Sequence, residues 1–340
     1  MAYTRKYPWD RRPLIARALS SRSSSTADIY FAWSFAEHLK AGDIQRLAPT
    51  VFLIDRTLIV MRHDAGLRQV PEFDKLIYFC DDDWRSGIKD PRIPREYRTK
   101  LRLVEAHAAG RLEKYADIIV VPSRVLLDVY KRIYPNKQIR IVTPAWRSVA
   151  QPHSLVQDEN VQIAYLGTRS HKTEFDFLVP IVSKLFDQVQ NFEFTISGEQ
   201  RIPRAWADEP RLRVIKAMPW HDYQNWMTGE TFDIGLYPLM SGSFALARSA
   251  NKLLEYDQLG AAVITSHQWR SALPEGVEQE CIFLNDDQDS WCKAIQDLIQ
   301  HPEKRKSMVS ASRAVIARQY SFKRQRDLWR QILDSLHNQP

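Results

Sequence analysis

Four residues in the second half of the chain have the types and spacing to hold a phosphate and the sugar attached to it: Arg248, Ser249, Lys252 and Glu255. They open a stretch, 251–259, whose pattern reads as a helix stopped by Gly260. A helix N-terminus offers unpaired N–H groups and a partial positive charge, which suit a phosphate. Ser249 is a candidate cap whose hydroxyl can instead turn to a phosphate oxygen. Arg248 and Lys252 bring cations to the same end. Glu255 shares a face with Lys252 and lies about 4 to 5 Å further along the axis, at about 1.5 Å per residue. That offset suits a carboxylate that accepts from ribose hydroxyls while the phosphates stay at the helix end. A surface Lys–Glu pair beside an ordinary cap has the same spacing and is the plainer reading.

Two further segments carry chemistry. A strand at 161–165 runs into Gly167, Thr168, Arg169, Ser170, His171 and Lys172. A glycine there lets the backbone come close to a ligand, and without one the segment is a basic loop. In the first half, Asp81, Asp82 and Asp83 follow a strand. Three adjacent carboxylates repel unless a cation or proton donor balances them. They read either as ligands of a divalent metal on a diphosphate or as turn and cap residues of the next segment. His63 and Asp64 also follow a strand and read either as lining the cleft or, more plainly, as a surface loop.

The elements that must position these residues alternate between strand and helix. Strands are expected over 51–54, 58–61, 75–80, 117–121 and 139–142, with helices over 98–112 and from the Ser123 cap to 130. The stretch 29–39 fits either a strand running into a helix or a buried helix, and 17–25 reads as a polar loop. The polar segment 147–160, which contains Pro152, reads as a linker. The alternation restarts with strands over 161–165, 192–196, 212–215, 233–237, 262–265 and 281–284, and helices over 175–188 and 251–259. Helices over 302–319 and from the Ser321 cap to about 336 close the chain. Such a rhythm predicts mostly parallel sheets covered by helices. In open parallel sheets ligands sit beyond the carboxyl ends of the strands.

The stretch Lys252-Leu-Leu-Glu255-Tyr-Asp-Gln-Leu-Gly260-Ala-Ala-Val-Ile-Thr-Ser266 resembles the donor-binding signature of retaining GT-B glycosyltransferases of the family-four type. Phe244 to Tyr256 is similar to the variant found in bacterial surface-polysaccharide transferases, and Tyr165 to Lys172 to the opening of their second domain. The resemblance implies an α/β fold of two Rossmann-like domains facing across a cleft, with C-terminal helices packing back toward the first. It places an acceptor-side domain at 1–150 and a donor-side domain at 151–340. It implies transfer of a sugar from a nucleoside-diphosphate sugar to a glycan or lipid-linked glycan, with retention, no metal and no cofactor. Glu255 would bind the ribose, Lys252 or Arg248 the diphosphate, Arg169 and Lys172 phosphates, His171 the sugar, and the backbone at Met218 the base. Trp220, Tyr223 and Trp226 beside it read equally as core packing. The acidic triplet matches one that faces the acceptor, with Asp82 and Asp83 the candidates to hold or deprotonate a hydroxyl. The chain departs at Ala247, where the family often has a second Glu, and at Ala261-Ala262. These departures leave room for a non-catalytic glycan- or nucleotide-binding protein, and the fold also hosts epimerases and phosphorylases.

The 340 residues suit two domains, and 44% apolar with 26% charged residues is ordinary for globular protein. Residues 1–150 hold 27 Lys and Arg against 17 Asp and Glu, whereas the whole chain carries +7. A basic first half suits an anionic membrane surface, an anionic acceptor or a merely solvated face. No nucleic-acid reading motif is present, so a nucleic-acid partner is not expected. Three scattered cysteines suit a reducing cytoplasm. The charged start and the lack of a run of about 18 apolar residues predict a cytoplasmic protein, at most peripheral at the inner membrane face.

Overall fold

A computed structural model describes residues 25–64, 66–146, 160–197, 200–240, 242–273 and 281–337. The expected loop at 17–24 and the expected linker at 147–159 lie outside the described residues.

The first sheet contains β1 (Gln45–Ala48), β2 (Val51–Ile54), β3 (Thr57–Met61), β4 (Lys75–Phe79), β5 (Ile118–Val121) and β6 (Gln138–Ile141), in that spatial order. β1 to β3 form an antiparallel meander, and β3 to β6 run parallel. Its helices are α1 (Ala36–Ala41), α2 (Trp84–Lys89), α3 (Arg95–Lys100), α4 (His107–Tyr115) and α5 (Arg124–Ile133), with π-helical turns at Asp28–Ala32 and Leu101–Ala106. The parallel crossovers all step the same way. Being right-handed, they put their helices on one face. There α4 and α5 cover Leu58, Val60, Leu76, Tyr78, Ile119 and Val121. Strand alternation sends Ile59, Met61, Ile77, Phe79, Ile118 and Val120 to the other face. That face needs a cover from elsewhere. Tyr30 and Phe31 supply it from one end of the chain, and Trp329, Ile332 and Leu333 from the other. The ambiguous stretch 29–39 is therefore helical, because it must lay an apolar side on a sheet.

The second sheet contains β7 (Val161–Tyr165), β8 (Phe192–Ser197), β9 (Leu212–Ile215), β10 (Ile234–Tyr237), β11 (Ala262–Ser266) and β12 (Cys281–Leu284). Its order is β12-β11-β10-β7-β8-β9, all parallel. Its helices are α6 (Lys172–Gln188), α7 (Trp220–Met227), α8 (Ser243–Leu246), α9 (Asn251–Gln258), α10 (Gln288–Gln300) and α11 (Pro302–Gln319), and α12 (Phe322–His337) returns to the first sheet. Gly260, at φ +79, ends the α9 segment in the left-handed region. The strand order reverses between β7 and β10, and ligands of such sheets bind in that crevice. Among the described residues no helix is long and apolar enough to cross a membrane.

Gly235 shows how tightly this crevice is built. A Cβ there would stand 2.5 Å from the Tyr256 ring, whose hydroxyl donates to the Leu236 carbonyl at 2.9 Å and accepts from the Leu166 amide at 3.2 Å. Gly235→Ala is expected to cost about 1–3 kcal/mol by overpacking. Urea unfolding at the wild-type midpoint would show it, and an unchanged midpoint would mean that the ring yields freely.

Candidate active site

The crevice opens into a cavity of about 550 Å³ between the two sheets, within the roughly 300–1,000 Å³ usual for ligand pockets. One wall is α9 and the segment leading into it. Glu255 is 6% exposed and accepts from the Tyr223 hydroxyl at 2.5 Å, while its other oxygen pairs with Lys252. Lys252 Nζ also donates to the Leu166 carbonyl at the end of β7, at 2.5 Å. The pair is thus held at the strand end, with Glu255 buried and Lys252 half-buried, rather than solvated on a surface. Tyr223 is a working neighbour of Glu255 as well as part of an aromatic stack with Trp220 and Trp226.

Arg248, Ser249 and Met218 also line the cavity, as do Thr168 and His171. Burial, with Arg248 and Lys252 nearby, pushes the His171 imidazole well below its ordinary pKa, so it stands neutral. Four expectations need correction. Ser249 does not cap α9: the cap position is Ala250, without a side-chain bond, and the Ser249 hydroxyl is engaged by Tyr30 at 2.6 Å. Lys172 is solvent-exposed and pairs with Asp176, because one helical step after His171 turns it outward. Gly167 does not line the cavity. It is required because a Cβ would stand 2.6 Å from the Tyr165 ring. Asp83 does not reach the cavity either: it caps α2 by accepting from the Ser86 amide at 3.2 Å and the Ser86 hydroxyl at 2.5 Å. The Arg169 side chain lies outside the described residues.

Across the cavity the acidic residues that face inward are Asp81 and Asp82. Their counter-charge is Arg62, which follows β3 at φ +64, a costly conformation for a side chain of its size. Its guanidinium lies 3.2 Å from Asp81, 3.2 Å from Asp82 and 3.1 Å from Glu105. Asp82 bridges to the opposite wall through Arg248 at 3.1 Å. Burial would raise the Asp82 carboxyl, but Arg248 and Arg62 outweigh it and hold it below the usual range. Burial pushes Asp81 up to about 6, against Arg62 and with Asp82, although Thr26 donates to it at 2.5 Å. His63 and Asp64 are buried, not a surface loop, and Asp64 pairs with Arg111 at 3.4 Å.

Arg62, Thr26 and Tyr30 escaped the reading of the sequence, and Asp81 was singled out only as one of the acidic triplet, not as a candidate of its own. Arg62 and Asp81 each follow a parallel strand, which was the available signal. Nothing local pointed to Thr26 and Tyr30.

No family model matches the chain, and no curated protein matches it in sequence. Solved structures do share its fold. A variant of S. aureus TarM, solved with fondaparinux, alpha-GlcNAc-glycerol and UDP, has a TM-score of 0.55 at 10% identity over 76% of this chain and 50% of that one. The pneumococcal O-GlcNAc transferase GtfA, solved with UDP and GlcNAc, gives 0.55 at 11% over 86% and 63%. Anabaena HepE, solved with UDP and glucose, gives 0.54 at 12% over 78% and 72%. The chain spans about half the length of the TarM chain. At such identities the likeness speaks to architecture, and the chain has the GT-B fold, two Rossmann-like domains facing across a cleft.

Proposed function

We propose that the protein is a glycosyltransferase that takes a nucleoside-diphosphate sugar as donor and a glycan as acceptor. The observation that carries this is the Lys252–Glu255–Tyr223 group, built on a buried carboxylate at the switch point of the second sheet, with Arg248 beside it. Glu255 would accept from the ribose hydroxyls, and Arg248 and Lys252 would neutralise the diphosphate as it leaves. Met218 would face the base and neutral His171 the sugar. The anomeric carbon–oxygen bond to the β-phosphate breaks, and a bond to the acceptor hydroxyl forms. The hydroxyl attacks on the face that the diphosphate leaves, so the transfer retains configuration, and its proton passes to the departing phosphate oxygen; the step needs neither a cofactor nor a metal. In this reading residues 1–150 serve the acceptor and 151–340 the donor. Asp81 and Asp82, which line the cavity, would then face the acceptor. The basic first half would meet a lipid-linked, surface-polysaccharide acceptor at an anionic membrane face.

The test is thermal shift against UDP, GDP, ADP, CDP and dTDP and their sugars. A ligand that binds only the folded state raises the melting temperature by mass action. One nucleotide is expected to do so, and silence from all five would remove the proposal.

A second reading is favoured by one observation. Ala247 is buried against the first domain, its carbonyl taken by the Ser123 hydroxyl at 3.1 Å, so no carboxylate occupies that place. Nucleotide binding with no turnover of any bound sugar nucleotide would make the protein a non-catalytic binder.

A further inference from the structure

Residues 247–249, which lead into α9, are held from the first domain one after another. Ser123 donates to the Ala247 carbonyl at 3.1 Å, Arg248 donates to Asp82 at 3.1 Å, and Tyr30 donates to Ser249 Oγ at 2.6 Å. The three partners come from three separate places in the first half of the chain. Tyr30 is the most constrained of them. It is fully buried, its ring lies 4.7 Å from Phe79, and its backbone carbonyl accepts from Trp329 Nε1 at 2.7 Å. One residue earlier, Gln325 donates to the Ile29 carbonyl at 2.9 Å. So α12, after the chain has completed the second sheet, fixes the turn that carries the phenol.

The direction of the Tyr30–Ser249 bond matters. Burial raises the Tyr30 pKa well above its ordinary value, so the phenol is a neutral donor near pH 7. A serine hydroxyl that accepts there still has its own proton to give. Ser249 lines the cavity between Arg248 and Lys252, so that proton is available to an anionic oxygen in the cavity. Asn251 also lines the cavity, and its Oδ1 is buried without a hydrogen-bond partner among the described residues.

We propose that Tyr30 is a positioning residue for the donor diphosphate: it accepts no ligand contact itself but orients the Ser249 hydroxyl toward a phosphate oxygen. This rests on the donor-site reading above. It assigns a role to the first described turn of the chain and makes donor affinity depend on the two domains being closed on each other.

The experiment is calorimetric titration of the full chain and its variants with UDP, GDP, ADP, CDP and dTDP, beside melting temperatures without ligand. Tyr30→Phe keeps the ring and its packing and removes the donor. It is expected to weaken the bound nucleotide about fivefold, the worth of one neutral hydrogen bond. Ser249→Ala is expected to weaken it at least as much, and the double variant no more than Ser249→Ala alone. Ser249→Thr, which keeps the hydroxyl, is expected to stay within about twofold of wild type, since the hydrogen bond survives. A merely structural Tyr30 would lower the melting temperature and leave affinity unchanged, or give losses that multiply in the double variant; either result overturns the proposal. Should Y30F not fold, S249A against S249T decides, and equal affinities overturn it. If wild type binds none of the five nucleotides, the donor reading falls and this inference with it.

Discussion

Glu255→Ala is expected to weaken nucleotide binding by about 10- to 100-fold, the equivalent of roughly 1.5–3 kcal/mol for hydrogen bonds to a charged group. The carboxylate is 6% exposed and already organised for the task. One oxygen is fixed by Tyr223 at 2.5 Å and the other by Lys252, itself tied to the end of β7 through the Leu166 carbonyl at 2.5 Å. A ribose would add its hydroxyls to a group whose desolvation and side-chain ordering were met on folding, which is where preorganisation yields affinity. The substitution leaves the Tyr223 phenol and the Lys252 ammonium each short of a partner, so it should also lower stability by about 1–3 kcal/mol. The two effects separate experimentally. Titration with nucleotide reads the first, and urea unfolding without ligand reads the second. Glu255→Gln keeps an acceptor for Tyr223 and should recover much of the stability and little of the affinity. A Glu255→Ala protein that is less stable yet binds nucleotide like wild type would make the Lys252–Glu255 pair structural and remove the donor site from α9.

This wall of the cavity was legible because its chemistry lies on consecutive turns of one helix. Spacing alone put Lys252 and Glu255 on one face, and Gly260 marked where the helix stops. The strand alternation was equally readable, since the buried parallel strands are short apolar runs, several of them closed by Gly, Pro or Ser. What the sequence withheld is whatever depends on a partner far along the chain. Ser249 looked like a cap because its neighbours fit one, but Tyr30, more than two hundred residues away, takes its hydroxyl. The acidic triplet showed that carboxylates follow β4, not which of them turns inward. Asp83 is drawn off by the exposed amide of Ser86, leaving Asp81 and Asp82 for Arg62. His171 closes a short turn as the residue before α6 and Lys172 opens the helix, so the one faces the cavity and the other solvent. In the first domain the parallel strands were readable but the cover of their sheet was not, for a topological reason. Its one-way crossovers leave a bare sheet face, and the cover is assembled from the two ends of the described chain.

Arg62→Ala should be the most disruptive single change on the first-domain wall of the cavity, on the order of 3 kcal/mol, because it strips a shared cation from buried carboxylates. Asp81, Asp82 and Glu105 lie within 3.2 Å of the guanidinium. Its cost should also depend on pH in a particular direction. In the wild type burial raises both Asp82 and Glu105, but the nearby cations win and hold the two below their usual range. They therefore add stability above the unfolded carboxylate range and lose it as pH falls through their folded values. Asp81 works oppositely. Raised to about 6 by burial against Arg62, it binds more protons folded than unfolded between about pH 4 and 6, so its contribution falls as pH rises through that window. Without Arg62 every one of the three carboxylates should rise. Asp82 keeps Arg248, but Asp81 and Glu105 lose their nearest cation. The variant should then be closest to wild type in acid and fall away from it as pH climbs past 6. His171, neutral when folded, contributes to both proteins and drops out of the difference. Melting temperatures of the two proteins from pH 4.5 to 8 test this. A gap that is constant across that range would mean that Arg62 acts through packing rather than charge, and a gap that narrows toward pH 8 would reverse the electrostatic account of the acidic wall.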